Sequence, residues 1–335
     1  MIRIYLLLII GFFCLKISYS QYFIWNAGTD NFFDNREYFN KYVEPQSMLG
    51  TQIFASAGFL VDENNSFYGG FNFLHEYGSK PAYANIKPTM YFRHASRNAK
   101  VYMGSFSRRN LITHPNVLLT DTFKYYRPNV EGIYLEFSKP WGSQTAWLDW
   151  TSRQTETDRE TFLIGGTGTL MPAKWFLQYN FLMYHYAGTA IPDSTDHIRD
   201  NGGLTFHGGI NLSENTFLDS LCFKTGLTFS YDRLRHVYDT DLRLGSLTEL
   251  YASYNFFGLR TTNYFGEGQI QMVGDGLYSA KFYNRTDLII YFFKKNRVKS
   301  FVEFSLHFLP EVVDVSQKFS IYIDISGKKE ISAIN

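Results

Sequence analysis

The sequence predicts an all-β protein, a transmembrane antiparallel up-and-down β-barrel of about 16 strands, with 14 as the alternative. Three observations carry this. Apolar residues alternate with period two along almost the whole chain, and helical patterning is almost absent. Beyond the first twenty residues no apolar run approaches the roughly 18 residues of a membrane helix, and the mean hydropathy is −0.21. The connections between alternating segments are short and long by turns. A chain exported across one membrane without a second spanning helix is either soluble or a barrel. Only a closed barrel satisfies every backbone hydrogen bond in lipid without helices.

The first element is a leader. Arg3 gives a positive start, Ile4 to Leu15 are apolar apart from Gly11, and Ser18-Tyr19-Ser20 forms a small-residue cleavage site before Gln21. Residues 1–20 are therefore expected to be a cleaved signal peptide and residues 21–335 the barrel. Cys14 lacks a lipobox, because Gly11, Phe12 and Phe13 precede it. Cys222 is then the one cysteine left, so no internal disulfide forms.

Sixteen segments follow, at 22–28, 50–61, 66–77, 84–95, 98–106, 130–138, 144–153, 160–169, 173–186, 201–212, 217–232, 246–257, 259–265, 278–293, 300–308 and 317–325. The clearest places Leu221, Phe223, Thr225, Leu227, Phe229 and Tyr231 on one face, with Cys222, Lys224, Gly226, Thr228 and Ser230 on the other. Val302, Phe304, Leu306 and Phe308 likewise alternate with Glu303, Ser305 and His307. Phe319, Ile321, Ile323 and Ile325 alternate with Lys318, Ser320, Tyr322 and Asp324. Short turns at 62–65, 96–97, 138–143, 170–172, 213–216, 258 and 294–299 interleave with longer loops at 29–49, 78–83, 107–129, 154–159, 187–200, 233–245, 266–277 and 309–316. Even strand number, with short turns at one end and long loops at the other, is the outer-membrane pattern. The 32 Phe and 25 Tyr, against 9 Pro, suit strands and interfacial belts. The weak segments near Tyr22 and Leu259 decide between 14 and 16. Gly69-Gly70, Gly165-Gly166, Gly202-Gly203 and Gly208-Gly209 lie in or beside strands, where they mark bends or close packing rather than phosphate loops.

With these elements in place the chain resembles the porin group of Gram-negative outer-membrane barrels. The resemblance covers essentially the whole mature chain and rests on architecture. Asp34-Asn35-Arg36-Glu37-Tyr38 and Tyr126-Arg127-Pro128-Asn129 resemble stretches in barrel families without fixing a substrate. The resemblance implies passive diffusion of small hydrophilic solutes, no cofactor, no enzymatic activity, and possible homotrimers. It also implies that the loop after the fifth strand, 107–129 here, narrows the lumen. Such barrels often end on an aromatic residue, whereas Gly327 to Asn335 trails past the last segment. A barrel plugged by its loops, with a structural or surface-binding role, is the alternative, and a secreted soluble glycan-binding β-protein is the second.

Charge is uneven although the net is +1. Between Ala84 and Pro128 stand Lys87, Arg93, Arg97, Lys100, Arg108, Arg109, Lys124 and Arg127 against Asp121 alone. Asp149 opens an acid-rich stretch that runs to Asp200. Lys87, Arg93, Lys100, Arg108, Arg109, Lys124, Arg127 and Asp149 are the expected pore-lining or constriction residues, giving an anion-favouring channel. Expected partners are outer-membrane lipid, lipopolysaccharide, the barrel-assembly machinery and small hydrophilic solutes. An exported chain of near-neutral charge argues against nucleic acid.

Catalysis has one local signal. His94-Ala95-Ser96 has the His-x-Ser spacing seen in lipid A deacylase barrels, and Arg97-Asn98-Ala99 loosely echoes that family. A nucleophilic serine needs a base within reach and a carboxylate to orient that base. Arg97 interrupts the motif, no carboxylate follows before Asp121, and the triplet falls in a short turn. A polar surface turn is expected there, and the chain is expected to be no enzyme. The eight His residues show neither HExxH nor a Cys-His pair, so no metal is expected.

Overall fold

The computed structural model describes residues 22–80, 85–171, 173–191 and 196–330. The expected leader at 1–20 and parts of the loops at 81–84 and 192–195 lie outside the described residues. The strands are β1 (Tyr22–Glu37), β2 (Gln46–Leu60), β3 (Asn65–Glu76), β4 (Ile86–Ala95), β5 (Ala99–Ser107), β6 (Asn129–Lys139), β7 (Gly142–Ser152) and β8 (Thr161–Leu170). They continue as β9 (Trp175–Tyr186), β10 (Arg199–Asn211), β11 (Ser220–Leu234), β12 (Tyr238–Tyr254), β13 (Phe257–Gly266), β14 (Phe282–Lys295), β15 (Val298–Phe308) and β16 (Val313–Glu330). A short helix, α1 (Phe123–Tyr126), interrupts the loop after β5.

Each strand pairs antiparallel with its sequence neighbours, and β1 closes the ring on β16, from Tyr22 opposite Glu330 to Glu37 opposite Val315. Closure removes every sheet edge, so no ladder group faces lipid unpaired. Short turns collect at the end that carries Tyr22 and Glu330, hereafter the turn end. The connections at the loop end vary far more in length. They include L1 (38–45), L3 (108–128), L7 (267–281) and L8 (309–312).

Both weak segments pair, which settles sixteen strands over fourteen. Most boundaries shift by one to four residues from the sequence reading, and three differ by five or more. β1 runs on to Glu37, where a loop from residue 29 was expected. Its second half puts Asp30, Phe32 and Asp34 on the inward face and Asn31, Phe33 and Asn35 on the outward one, so both faces mix polar and apolar residues and no apolar alternation shows. The loop expected at 233–245 is mostly strand, again because Asp232, Asp241 and Arg243 are polar. Residues 326–330 continue β16 against β1 rather than trailing free.

Outward side chains form an apolar band, with Ile53, Phe67, Met90, Trp175, Phe206, Leu244, Leu259 and Phe304 among the exposed ones. The lumen is not simply wet. L3 and L7 fold inward and bury Val117, Leu118, Leu277, Tyr278 and Ala280 against inward Val130, Tyr134, Trp147, Leu163, Leu182, Leu247, Tyr264 and Tyr283. Burying each large apolar side chain contributes about 1.5–3 kcal/mol, so this plug is a core in its own right. Two backbone bonds join the loops to each other, Thr120 N to Val273 O (2.8 Å) and Asp275 N to Asn116 O (2.8 Å). The wall makes room for them. A Cβ on Gly203 would lie 2.1 Å from Gln271 Nε2 and 2.9 Å from Leu118 Cδ2. On the turn side of the plug a polar vestibule of about 600 Å³ remains, lined in part by His114, Asn180, Lys224, Glu249, Arg260 and Arg285.

Candidate functional site

The charged residues singled out by sequence fall into two groups. Arg108, Arg109, Lys124 and Arg127 all lie on L3, and all are engaged. Arg108 is buried against the Asp149 carboxylate, and its Nε donates to the Arg127 carbonyl (3.0 Å). Asp149 also accepts from Glu131 N (2.9 Å). Arg109 pairs with Asp30 and donates to Gln52 Oε1 (2.6 Å). Lys124 stands 3.8 Å from Asp121, and Arg127 donates to the Thr151 carbonyl (2.7 Å). Lys87 is exposed and borders a small hollow with Arg127 and Asp149. Arg93 and Lys100 are separate from these, towards the turn end. Arg93 lies over the Tyr102 ring (5.8 Å), and Lys100 bonds Glu136 (2.8 Å).

L3 is also tied to the β16–β1 seam. Asp121 accepts from Arg36 (2.7 Å) and from Lys318, and Arg36 in turn holds Asp34 (2.9 Å). Burial alone would raise the Asp121 carboxyl, but Lys318, Lys124 and Arg36 outweigh it and hold the group well below the usual carboxylate range. Gln52 donates to the carbonyls of Lys124 (3.0 Å) and Tyr125 (2.5 Å), and the Tyr125 ring stacks on Phe32 at 4.0 Å. Burial pushes the His114 imidazole on L3 below its usual value, against the opposing pull of the Thr113 and Phe181 carbonyls that face its ring nitrogens.

Next to this seam, towards the loop end, a second polar group forms from four elements. His307 lies opposite Arg285 on β14 and opposite Asp314 on β16. Its inward ring therefore reaches the diagonal neighbours two residues away on each side, Tyr283 and Ser316. The Tyr283 hydroxyl is 2.7 Å from His307 Nδ1, and Ser316 Oγ is 2.9 Å from Nε2. Tyr38, the first residue of L1, brings its hydroxyl to 3.5 Å from the same Nε2. Asp314 accepts from Phe39 N (2.8 Å) and Asn40 Nδ2 (2.6 Å), fastening L1 over the group. A cavity of about 360 Å³ is lined by Phe39–Tyr42 of L1 and Leu309–Val312 of L8, the segments that adjoin this group in sequence.

The local triplet flagged in the sequence is built differently. His94 Nδ1 bonds Asn65 Oδ1 (2.9 Å), while Ser96 Oγ is spent on its own turn at Ala99. Among the described residues no group of three or more His, Cys, Asp or Glu side chains is placed to hold a metal ion. Sequence inspection saw His307 only as an alternating strand residue and did not join it to Ser316 and Tyr283, because their meeting depends on the pairing register of three strands. The usable signal was weak, namely inward polar residues near the loop ends of consecutive strands.

A closed 16-strand antiparallel barrel is the fold class of outer-membrane porins, and solved structures of that class match nearly the whole chain. In-vitro folded OmpT of Vibrio cholerae, in its trimer form, gives a TM-score of 0.57 at 5% identity, covering 92% of this chain and 100% of that one. The anion-selective porin from Comamonas acidovorans gives 0.53 at 7%, covering 91% and 99%. Salmonella typhi OmpF in complex with daunomycin gives 0.53 at 8%, covering 91% and 98%. At such identities the likeness establishes the fold alone. No curated protein sequence matches the chain. The family is given by residues 20–333, which match the lipid A 3'-O-deacylase-type family, and the chain belongs to it. That corrects the expectation of a barrel without enzymatic activity, since the family is one of enzymes. The error came from judging catalysis on one contiguous triplet.

Proposed function

We propose that the protein is an outer-membrane acyl-ester hydrolase that acts on lipid A or a closely related acylated glycolipid. The family match over residues 20–333 carries this reading. Two features of the barrel support it. The apolar plug made by L3 and L7 occupies space that a diffusion channel keeps open. The hydroxyl–imidazole group at the loop end lies on the side of the barrel that would face the outer leaflet, where such a glycolipid resides. Lipopolysaccharide is then a substrate as well as a neighbour. The test is mass spectrometry of lipid A after incubation with the refolded mature chain. Loss of one ester-linked acyl chain is expected, and unchanged lipid A across detergents, cations and pH values would overturn the reading.

Passive diffusion of small hydrophilic solutes is the second reading, supported by the polar vestibule of about 600 Å³ on the turn side. Its anion preference would rest on L3, and Arg108, Arg109 and Arg127 changed to Glu would shift the reversal potential. Association into homotrimers finds support on the outer face of β16, β1 and β2. There Ser47 donates to Asn35 and Thr51 to Asn31 across β1 and β2, towards the loop end, and neutral polar groups on an outer face can hydrogen-bond between proteins. Native mass spectrometry in detergent decides the stoichiometry.

A further inference from the structure

We propose that the turn end of the lumen holds a binding site for a carboxylate-bearing sugar, built by Arg93, Lys328 and a row of three tyrosines. The proposal is independent of the hydrolase reading and concerns the opposite mouth of the barrel.

The site follows from the strand register. Tyr68 of β3 stands opposite Tyr91 of β4, and Arg93, two residues further along β4, stands opposite Tyr102 of β5. Residues two apart share a face, so Tyr91 and Arg93 point into the lumen together. The rings form a ladder across the three strands, with Tyr68 and Tyr91 stacked at 4.8 Å and Tyr91 and Tyr102 at 5.9 Å. Beyond β2 stand Ile24 and Asn26 of β1, paired with Lys328 and Ser326 of β16. At this level β2 itself brings only Ser56 and Gly58 to the inward face. A hollow of about 480 Å³ is left between the two groups, a size that suits a small ligand.

Its charge is one-sided. Arg93 and Lys328 line the hollow, and no carboxylate does. Lumen arginines elsewhere, such as Arg108, Arg109 and Arg285, lie against Asp or Glu. Among the described residues Arg93 has no such acid. Its guanidinium lies over the Tyr102 ring at 5.8 Å, and its Nε is buried without a hydrogen-bond partner. Lys328 holds its Nζ 3.6 Å from the centre of the Tyr22 ring. The neighbouring Asp324 carboxylate is taken up by Asn26 and Tyr322.

These features select a ligand. A guanidinium is a planar fork that fits a carboxylate with two parallel hydrogen bonds, and one without an internal acid keeps that fork for a guest. Tyrosines supply hydroxyls that donate and accept, and ring faces whose negative charge attracts the C–H groups of a pyranose. An inorganic anion would use the first feature and leave the second idle, and a neutral sugar would do the reverse. The plug of L3 and L7 closes the lumen above, so the ligand enters from the turn end, which faces the periplasm in outer-membrane barrels. The wall polymer lies there and its sugars carry carboxylates. Its chain ends and its soluble fragments present the same chemistry.

The test is calorimetric titration of the refolded full barrel, with heat-modifiable gel mobility as the check of folding. The probes are N-acetylmuramic acid, N-acetylglucosamine, which is the same ring without the lactyl carboxylate, and inorganic phosphate. The acid is expected to bind, and the neutral sugar and phosphate to bind roughly tenfold more weakly or not at all. Arg93→Gln should weaken the acid roughly tenfold, as loss of a charge-assisted hydrogen bond does. Lys139→Gln, at the same end of the barrel on β6, should leave it unchanged. No binding of the acid, equal binding of all three probes, or unchanged affinity in folded Arg93→Gln would overturn the proposal. Co-sedimentation with purified wall sacculi then separates the two sources. Wild type pelleting while Arg93→Gln stays in solution assigns the site to polymer chain ends, and binding of the soluble acid without pelleting assigns it to fragments.

Discussion

At the scale of single residues, the Arg108–Asp149 pair is the most consequential charge contact in the barrel. Both side chains are almost wholly buried, at 4% and 2% exposure. Removing one partner of such a pair strands the other in a poor solvent, whereas replacing both by apolar groups is often neutral. Arg108→Ala should therefore cost about 3–5 kcal/mol, seen as a drop in the temperature at which gel mobility changes. Arg108→Met with Asp149→Leu should recover most of it, and equal losses in the single and double variants would refute the assignment. The identity of the basic cluster was legible in the sequence, since Arg108, Arg109, Lys124 and Arg127 do share L3. Their neutralisation was not. Arg108 and Arg109 meet Asp149 of β7 and Asp30 of β1, Lys124 stands near Asp121 of L3 itself, and Arg127 meets the Thr151 carbonyl, all contacts that depend on how L3 folds inward.

At the scale of elements, L3 is held by contacts of different kinds, and they respond differently to conditions. Asp121 accepts from Arg36 and Lys318, Gln52 grips two carbonyls of α1, and Phe32 stacks on Tyr125. Because the folded Asp121 carboxyl is depressed, its contribution is complete above the unfolded value of about 3.9 and is lost only as pH falls through the lower folded value. Hydrogen exchange over residues 117–126 should stay slow from pH 8 to pH 5 and accelerate only in strong acid. Loss of protection near pH 6 would show that another group controls the loop. The wall side has its own check. Gly203→Leu places a side chain where Gln271 and Leu118 already stand, and 2.6 Å from the Phe229 carbonyl of β11, so it should loosen L3 and L7 together with the wall beside them, as limited proteolysis would report. The strands themselves were readable wherever one face was apolar and one polar, and misread where the two faces showed no such contrast. Loop packing inside the lumen left no periodic trace at all.

At the scale of the whole molecule, strand number and lumen filling are independent properties. Sixteen strands enclose a space wide enough for an aqueous channel, and the expectation of a pore followed from that number. The interior here departs from a channel at one level. Val117 and Leu118 from L3 and Leu277 from L7 are fully buried against a collar of inward Tyr, Trp and Leu side chains. An apolar cluster excludes ions because a bare charge finds no compensating dipoles there. The vestibule beneath it is therefore expected to be a blind chamber open at the turn end. Planar-bilayer recordings of the refolded chain should show insertion without stepwise current. Leu118→Asp with Val117→Asp places two charges inside the plug, and each costs several kcal/mol unless L3 leaves the lumen. That variant should conduct in discrete steps, with unchanged heat-modifiable mobility. Steady stepwise conductance from the wild-type chain would mean that L3 and L7 leave the lumen on their own, and the solute-channel reading would then take precedence over the plugged hydrolase.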